Sequence, residues 1–268
     1  MFIRLSVVAA SLFLGIIISS LYWLGESGVG SPEKQFVTVC VNPGMRTSFN
    51  LPDGTVAYLN SGSSLSYPVP HDKDKREVSL NGEAYFKVKH NPEQPFIVSV
   101  ADDRLQVKVL GTEFNLQAFE DEDMIETTLV KGRVDVRLKN ENGIFTEQAL
   151  YPSEKATFNL RARQLLIENV NTSYTTAWTE GKLMFKDCPP LSKVLKNLSY
   201  FYNVKFKVED PVIETYCFTG TFHNKQLFQV LEYLKISSKI DYTINPMTKD
   251  DDKGIEHATV ILKNMRSM

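Results

Sequence analysis

Apolar and polar residues alternate along much of the first two thirds of the chain, most clearly from residue 82 to residue 116. There Ala84, Phe86 and Val88 fall on one face of an extended chain, and mostly polar residues fall on the other. A period of two is typical of half-buried β-strands. The strands are predicted over residues 82–88, 96–100 and 105–116. Because Asn, Pro and Asp residues separate them as turns do, we expect an antiparallel meander.

The apolar face changes parity inside the last of these strands. Apolar residues occupy odd positions from 105 to 109 and even positions from 114 to 118. The change falls at Gly111 and Thr112. A strand changes face without ending through a bulge or a kink, and glycine is the usual residue there. The pattern therefore predicts a bulge at Gly111.

Short strands at regular spacing continue to residue 165 and predict an all-β antiparallel domain over residues 36–165, as a sandwich or a stacked sheet. Within it, residues 124–138 are predicted to form a hairpin around Lys131-Gly132, and residues 67–74 are predicted to be a loop.

The hydrophobic period changes after residue 180. Apolar residues recur with the spacing i, i+3, i+4 and i+7 in residues 190–202 and 227–234, which predicts two amphipathic helices. Each helix lies between two predicted strands, and this unit repeats after 36 residues. The pattern predicts a small α+β module of two strand-helix-strand repeats on a small sheet, residues 181–264. The polar residues 166–180 are predicted to be a linker.

Residues 5–24 form a run of apolar and small residues without a charge, long enough to cross a bilayer core as one helix. The alternative is a cleaved signal peptide, but the run exceeds a usual signal core and lacks a small-x-small cleavage site. Arg4 and the positive-inside tendency place residues 1–4 in the cytoplasm. The remainder, beginning with a linker at residues 25–35, is then expected outside.

Composition supports two globular domains and argues against nucleic-acid binding. The 268 residues are 43% hydrophobic and 23% charged, with a net charge of -2 and no block of Lys or Arg. Cys40, Cys188 and Cys217 are too few for a disulfide scaffold. Although the pairing of Cys188 with Cys217 cannot be derived from sequence, the simplest expectation is three small buried side chains.

The sequence contains no recognisable catalytic or metal-binding arrangement. None of its four histidines has the spacing of a metal-binding pair. It has no phosphate loop, dinucleotide fingerprint or hydrolase elbow. The acidic runs 121–123 and 250–252 lack the glycine and final glutamate of a calcium loop, so we expect solvated turns. We therefore expect a protein that is not an enzyme and that holds no cofactor and no metal.

Four motifs occur in order along the β-rich region. They are Leu51-Pro52-Asp53-Gly54-Thr55, Leu59-Asn60-Ser61-Gly62-Ser63, Gly82-Glu83-Ala84-Tyr85-Phe86 and Val109-Leu110-Gly111-Thr112-Glu113-Phe114-Asn115. Together they resemble the FecR family, single-span bacterial regulators of extracytoplasmic-function sigma factors. The module at 181–264 resembles the short N-terminal module of secretins and TonB-dependent transporters, which commonly ends FecR-family proteins. The chain departs from the family at Ser153, where glycine is usual.

The resemblance implies an inner-membrane regulator that relays a signal from an outer-membrane TonB-dependent transporter to an extracytoplasmic-function sigma factor. The transporter's signalling domain is then expected to dock on an open sheet edge of the 181–264 module. The family holds its sigma factor with a cytoplasmic N-terminal domain, and residues 1–4 are too few to form one. Either such a segment lies upstream, or the protein is a membrane-anchored periplasmic binding or envelope-assembly module without transcriptional output.

The resemblance also implies that Gly111 and Thr112 could be a site of self-cleavage, since part of the family is split at a Gly-Thr in this motif. Thr112 would attack the Gly111 carbonyl in an N-to-O acyl shift, and water would hydrolyse the resulting ester. His90 is the nearest histidine in sequence that could act as the base. The alternative is that Gly111 forms a bulge and Thr112 is an ordinary strand residue.

Overall fold

A computed structural model describes residues 14–20, 34–249 and 256–265. The chain divides into two compact units, Met1–Gln35 and Phe36–Met268. Residues 14–20 of the first unit are helical and exposed, and the rest of the predicted 5–24 span lies outside the described residues. Within the described ranges, no helix combines the length and apolar character that crossing a membrane requires.

The β-rich part of the second unit is one curled sheet of thirteen strands, whose two halves share a long strand, β5 (Arg76–Lys87). Residues 76–81 of β5 belong to the first half, and residues 82–87 belong to the second half. The other strands of the first half are β1 (Gln35–Cys40), β4 (Ser64–Val69), β6 (Phe96–Val100), β7 (Leu105–Val109), β10 (Val134–Lys139) and β11 (Phe145–Leu150). Those of the second half are β2 (Thr47–Asn50), β3 (Val56–Leu59), β8 (Glu113–Ala118), β9 (Met124–Lys131), β12 (Glu154–Asn159) and β13 (Gln164–Asn169).

One hydrophobic core lies between the two halves. Phe86 of the second half is fully buried, and its ring centroid lies 5.7 Å from that of Phe96 in the first half and 5.3 Å from that of Phe114. Each such side chain contributes roughly 1.5–3 kcal/mol by leaving water. The residues that the alternating pattern places on the inner face, such as Ala84 and Val107, are buried in this core. The β-rich prediction is therefore confirmed, with strands that curl around a single core.

The chain crosses repeatedly from one half of the sheet to the other, and this corrects two predictions. Gly111 is not a bulge in a continuous strand, because β7 belongs to the first half and β8 to the second. Gly132 is not the turn of a hairpin, because β9 pairs with β8 and β12 whereas β10 pairs with β7 and β11. Both glycines lie at corners, where the chain changes direction instead of folding back on itself.

Two further corrections concern pairing and strand length. The segment from residue 82 to residue 116 is not an antiparallel meander, because β6 runs parallel to β5 and pairs with its residues 76–79. The sequence pattern missed this part of β5. The predicted loop at 67–74 is also too long, because β4 extends to Val69.

Ser153 lies at another crossing, between β11 and β12, and has a left-handed backbone with φ of +71°. This conformation costs an L-residue roughly 1–2 kcal/mol and glycine almost nothing, which accounts for the glycine usual at this position. Two backbone hydrogen bonds hold Ser153 in place, from its N–H to the Leu129 carbonyl and from Val170 N–H to its own carbonyl.

The C-terminal module contains the predicted repeat but two sheets instead of one. A two-stranded antiparallel sheet pairs β14 (Lys182–Phe185) with β16 (Gly220–His223). A three-stranded sheet has the order β15 (Val204–Val208), β18 (Glu256–Asn264) and β17 (Ile240–Lys249), with β15 parallel to β18. The predicted linker 166–180 contains the end of β13, the helix α1 (Thr172–Thr176) and a 3-10 helix (Ala177–Glu180). The repeat helices are α2 (Leu191–Tyr202) and α3 (Leu227–Ser238), and a second 3-10 helix spans Pro211–Thr215.

The expectation for the cysteines is wrong. Cys188 and Cys217 are exposed and form a disulfide, with their Cα atoms 5.0 Å apart. Cys188 precedes α2 and Cys217 precedes β16, so the bridge joins the two repeats. Cys40 is also exposed, and it is free.

Candidate functional site

Polar residues from three of the sequence motifs meet in a buried cluster that involves β3, β5 and β8. Asn60 Nδ2 donates to Glu83 Oε2 at 2.8 Å, and Asn115 Nδ2 donates to Glu83 Oε1 at 2.9 Å. Asn60, Glu83 and Asn115 are 3%, 9% and 2% exposed, respectively. A carboxylate so far from water is tolerated because each of its oxygens accepts a hydrogen bond.

Gly82 is required for this arrangement because it brings β5 against the segment that follows β3. Its φ is +109°, and a Cβ atom at this position would lie 2.4 Å from Ser63 Oγ. Ser63 Oγ accepts a hydrogen bond from the Glu83 N–H at 2.8 Å. A side chain at position 82 would separate these segments and would shift Glu83 away from the two asparagines.

Trp178 connects the buried cluster to the C-terminal module. It lies on the 3-10 helix Ala177–Glu180, is 6% exposed, and donates from Nε1 to Asn115 Oδ1 at 3.0 Å. Its ring belongs to the module's hydrophobic core, which also takes in Tyr85 of the β-sheet. The indole therefore contacts the module through its ring and the β-sheet through its N–H.

Burial raises the pKa of Glu83 to about 6. The hydrogen bonds from Asn115 and Asn60 act in the opposite direction, and the charge of Glu126 adds to the rise. Because the pKa is raised, the folded protein binds this proton more tightly than the unfolded chain, whose carboxyl has the ordinary value of 4.5. Protonation of Glu83 therefore stabilises the fold fully below the pKa of the unfolded chain, 4.5. This stabilisation is lost as the pH rises through the pKa of the folded protein, about 6.

We therefore expect the stability of the protein relative to Glu83→Gln to fall by about 2 kcal/mol between about pH 4.5 and 7.5. Glutamine does not titrate, and the other ionisable groups cancel in the comparison. Urea unfolding of both proteins at several pH values measures the difference. A difference that stays constant over this range would contradict the role assigned to Glu83.

A second polar contact joins the turn after β8 to α2. Glu122 accepts hydrogen bonds from Lys196 Nζ and Tyr200 Oη, and the ring of Tyr200 stacks on Phe119 with centroids 4.2 Å apart. Burial and the neighbouring Glu122 raise the pKa of Tyr200. The expectation that residues 121–123 form only a solvated turn is therefore wrong for Glu122, whereas residues 250–252 lie outside the described residues.

A third contact joins the turn after β1 to the module, and it borders a cleft of about 410 Å³. The guanidinium of Arg46 lies over the ring of Phe201, 3.8 Å from its centroid, and burial lowers the pKa of Arg46. Tyr202 and Lys225 also line this cleft. The module thus contacts the β-sheet at the buried cluster, at Glu122 and at Arg46.

Gly111 and Thr112 lie at the crossing from β7 to β8, and the structure brings His90 next to them. A Cβ atom at Gly111 would lie 2.5 Å from His90 Nδ1. Thr112 is 3% exposed, and its hydroxyl donates to the Arg133 carbonyl at 2.8 Å. His90 therefore lies against the Gly111 backbone, and the hydroxyl has a carbonyl acceptor. Self-cleavage between Gly111 and Thr112 stays a prediction.

The buried cluster was missed by sequence reasoning, although its residues stand in the motifs that suggested the family. Asn60, Glu83 and Asn115 are polar residues within or directly after strands whose apolar residues form the core, and this is a signal that could have found them. Trp178 carries no such signal, because it stands in a polar stretch. In the described parts of the chain, no group of three or more His, Cys, Asp or Glu residues is placed to hold a metal.

The chain thus combines a curled β-sheet domain with a module of two strand-helix-strand repeats, and a buried polar cluster joins the two. Comparison with known families identifies both parts: residues 37–135 match the FecR protein family, and residues 182–249 match the FecR C-terminal family. The chain belongs to the FecR family of anti-sigma regulators. A sigma factor is the kind of partner that this membership implies.

Two solved structures resemble the chain over most of its length. Both are crystal structures, at 1.65 Å and 2.50 Å resolution, of a predicted anti-sigma factor from Parabacteroides distasonis ATCC 8503. Each is 29% identical to this chain, with a TM-score of 0.69. The similarity covers 85% and 86% of this chain and 99% of the other chain in both cases. No curated protein sequence matches the chain.

Proposed function

We propose that this protein is a single-span inner-membrane regulator that relays a signal from an outer-membrane TonB-dependent transporter to an extracytoplasmic-function sigma factor. The observation that carries the proposal is the pairing of a FecR domain with a FecR C-terminal domain in one compact unit, residues 36–268. This unit would lie in the periplasm, anchored by residues 5–24.

The Cys188–Cys217 disulfide supports the periplasmic location. Both cysteines are exposed, so their bond depends on the redox state of the surrounding solvent. Disulfides persist in oxidising compartments such as the bacterial periplasm and are rare in the cytosol. The uncharged run at residues 5–24 supports the anchor by its length.

The module offers sheet edges on which a transporter's signalling domain could dock. Among the described strands, β14 and β16 pair only with each other, and β15 and β17 are the outer strands of the three-stranded sheet. Unpaired edges accept a strand from a partner through backbone hydrogen bonds. Docking here would place the partner on the part of the protein that Trp178 connects to the β-sheet.

Two experiments test the proposal. A phosphatase that is active only outside the cytoplasm, fused after Met268, should be active, and the protein should sediment with membranes. In a pull-down with the transporter's signalling domain, the full chain should bind, and a chain lacking residues 181–268 should not. Binding that survives the deletion would refute the docking assignment. Transporter binding without any effect on sigma-dependent transcription would favour a membrane-anchored binding module.

A further inference from the structure

We propose that Trp178 forms a latch, a contact that couples the position of the C-terminal module on the β-sheet to the order of β8. A partner that displaces the module would then loosen β8 inside the β-sheet. The inference rests on the proposed function for the identity of that partner, and the latch itself rests on the contacts within this chain.

The latch consists of three consecutive buried hydrogen bonds. Trp178 Nε1 donates to Asn115 Oδ1, Asn115 Nδ2 donates to Glu83 Oε1, and Asn60 Nδ2 donates to Glu83 Oε2. Because the Asn115 amide uses its oxygen toward Trp178 and its nitrogen toward Glu83, its orientation is fixed from both sides. The module, β8, β5 and the end of β3 are thereby linked.

Displacement of the module would break this series at its first bond. Asn115 is 2% exposed while the module is in place, and on displacement its oxygen would lose the donor that Trp178 provides. If the amide rotated to find another donor, Glu83 would lose one of the hydrogen bonds that stabilise its buried charge. In either case β8 becomes less stable, and so do residues 82–87 of β5, which pair with residues 113–118 of β8.

The other polar contacts of the module are weaker restraints. The ion pair of Lys196 with Glu122 is 45% and 21% exposed at its two side chains, and such pairs contribute little to stability. The guanidinium of Arg46 contacts Phe201 without fixing a hydrogen-bond geometry. Tyr200 Oη also donates to Glu122, but this half-buried contact reaches the turn after β8 instead of the strand itself. Trp178 therefore supplies the fully buried hydrogen bond to β8, and its loss is the step that would loosen this strand.

Hydrogen–deuterium exchange of the full chain measures the coupling. Trp178→Phe keeps most of the ring and removes the N–H, and we expect the amides of residues 113–118 to exchange about 5- to 30-fold faster. Amides of β10 and β11, in the other half of the sheet, should keep their rates. The matched control is Tyr200→Phe, which removes a module hydrogen bond to Glu122 without touching the buried cluster. It should leave β8 unchanged.

Unchanged exchange in β8, or an equal increase over all strands, would overturn the latch. If Trp178→Phe does not fold, a second measurement uses Trp23→Phe, which leaves Trp178 as the single tryptophan. In increasing urea, acrylamide quenching of Trp178 and exchange of β8 should then rise together. Quenching that precedes loss of β8 protection refutes the coupling. These measurements involve no partner, so their failure leaves the regulator assignment intact, and a failed pull-down leaves the latch intact.

Discussion

Replacing Arg76 with methionine is expected to lower the free energy of unfolding by about 3–5 kcal/mol, the usual cost of breaking a buried ion pair from one side. Arg76 is 1% exposed. Its Nη1 donates to Asp53 Oδ2 at 2.7 Å and to the Lys89 carbonyl at 2.9 Å, and its Nε donates to the Gln94 carbonyl at 2.8 Å. Methionine fills much of the same volume but leaves these acceptors without their donor.

Asp53 explains why the pair is retained in the ionised form. Burial alone would raise the pKa of Asp53, and hydrogen bonds from Thr55 and Arg76 outweigh burial, so the pKa lies below its ordinary value. Thr55 donates to this carboxylate from its backbone N–H at 2.9 Å and from its hydroxyl at 2.7 Å. The Leu51–Thr55 motif thus positions the Asp53 carboxylate that binds the buried guanidinium.

The control for Arg76 is its neighbour Lys75, whose side chain is 42% exposed and paired with Glu77. Lys75→Met removes a surface ion pair and should change stability by less than about 1 kcal/mol. Urea unfolding of both variants provides the comparison. Equal effects of the two substitutions would show that the buried contacts of Arg76 stabilise the fold no more than a surface ion pair does.

Removing the Cys188–Cys217 disulfide should destabilise the C-terminal module by about 3–4 kcal/mol. The reason is that the bond lowers the conformational entropy of the unfolded chain by closing a loop. The two cysteines are 29 positions apart, and the loop between them contains α2 and β15. The double variant Cys188→Ser and Cys217→Ser should therefore melt at a lower temperature than the oxidised protein.

Thermal unfolding with and without a thiol reductant tests this result. The reductant should shift the melting of the unmodified protein and should leave the double variant unchanged. Cys40→Ser is the matched control, because Cys40 is exposed and unbonded, and it should respond to the reductant as the unmodified protein does. A reductant effect that persists in the double variant would assign the shift to something other than this bond.

The positions of many strands and helices could be predicted from the sequence because hydrophobic periodicity is a local property. The strand predicted at residues 96–100 is Phe96–Val100, and the helix predicted at 190–202 is Leu191–Tyr202. Pairing is not local. The glycines at 111 and 132 give the same turn signal whether the chain folds back into a hairpin or crosses to the other half of the sheet, so the sequence could not distinguish these outcomes.

The site could be predicted less well, for a related reason. Asn115 and Trp178 are 63 positions apart, and their contact depends on how the module is seated. A tryptophan in a polar stretch gives no periodic signal, so residues 166–180 resembled a linker. The Cys188–Cys217 bond likewise depends on a Cα separation of 5.0 Å that only the folded module brings about.

The alternation of the chain between the two halves of the sheet has a consequence for folding speed. Adjacent strands such as β6 and β7, or β8 and β9, form local hairpins that arise quickly, but a hairpin alone is marginally stable. Its apolar face is covered only when strands distant in sequence arrive, as when β10 joins β7 or β12 joins β9. Such non-local closure is slow, so a newly synthesised chain would keep its apolar strands uncovered until the later hairpins have formed.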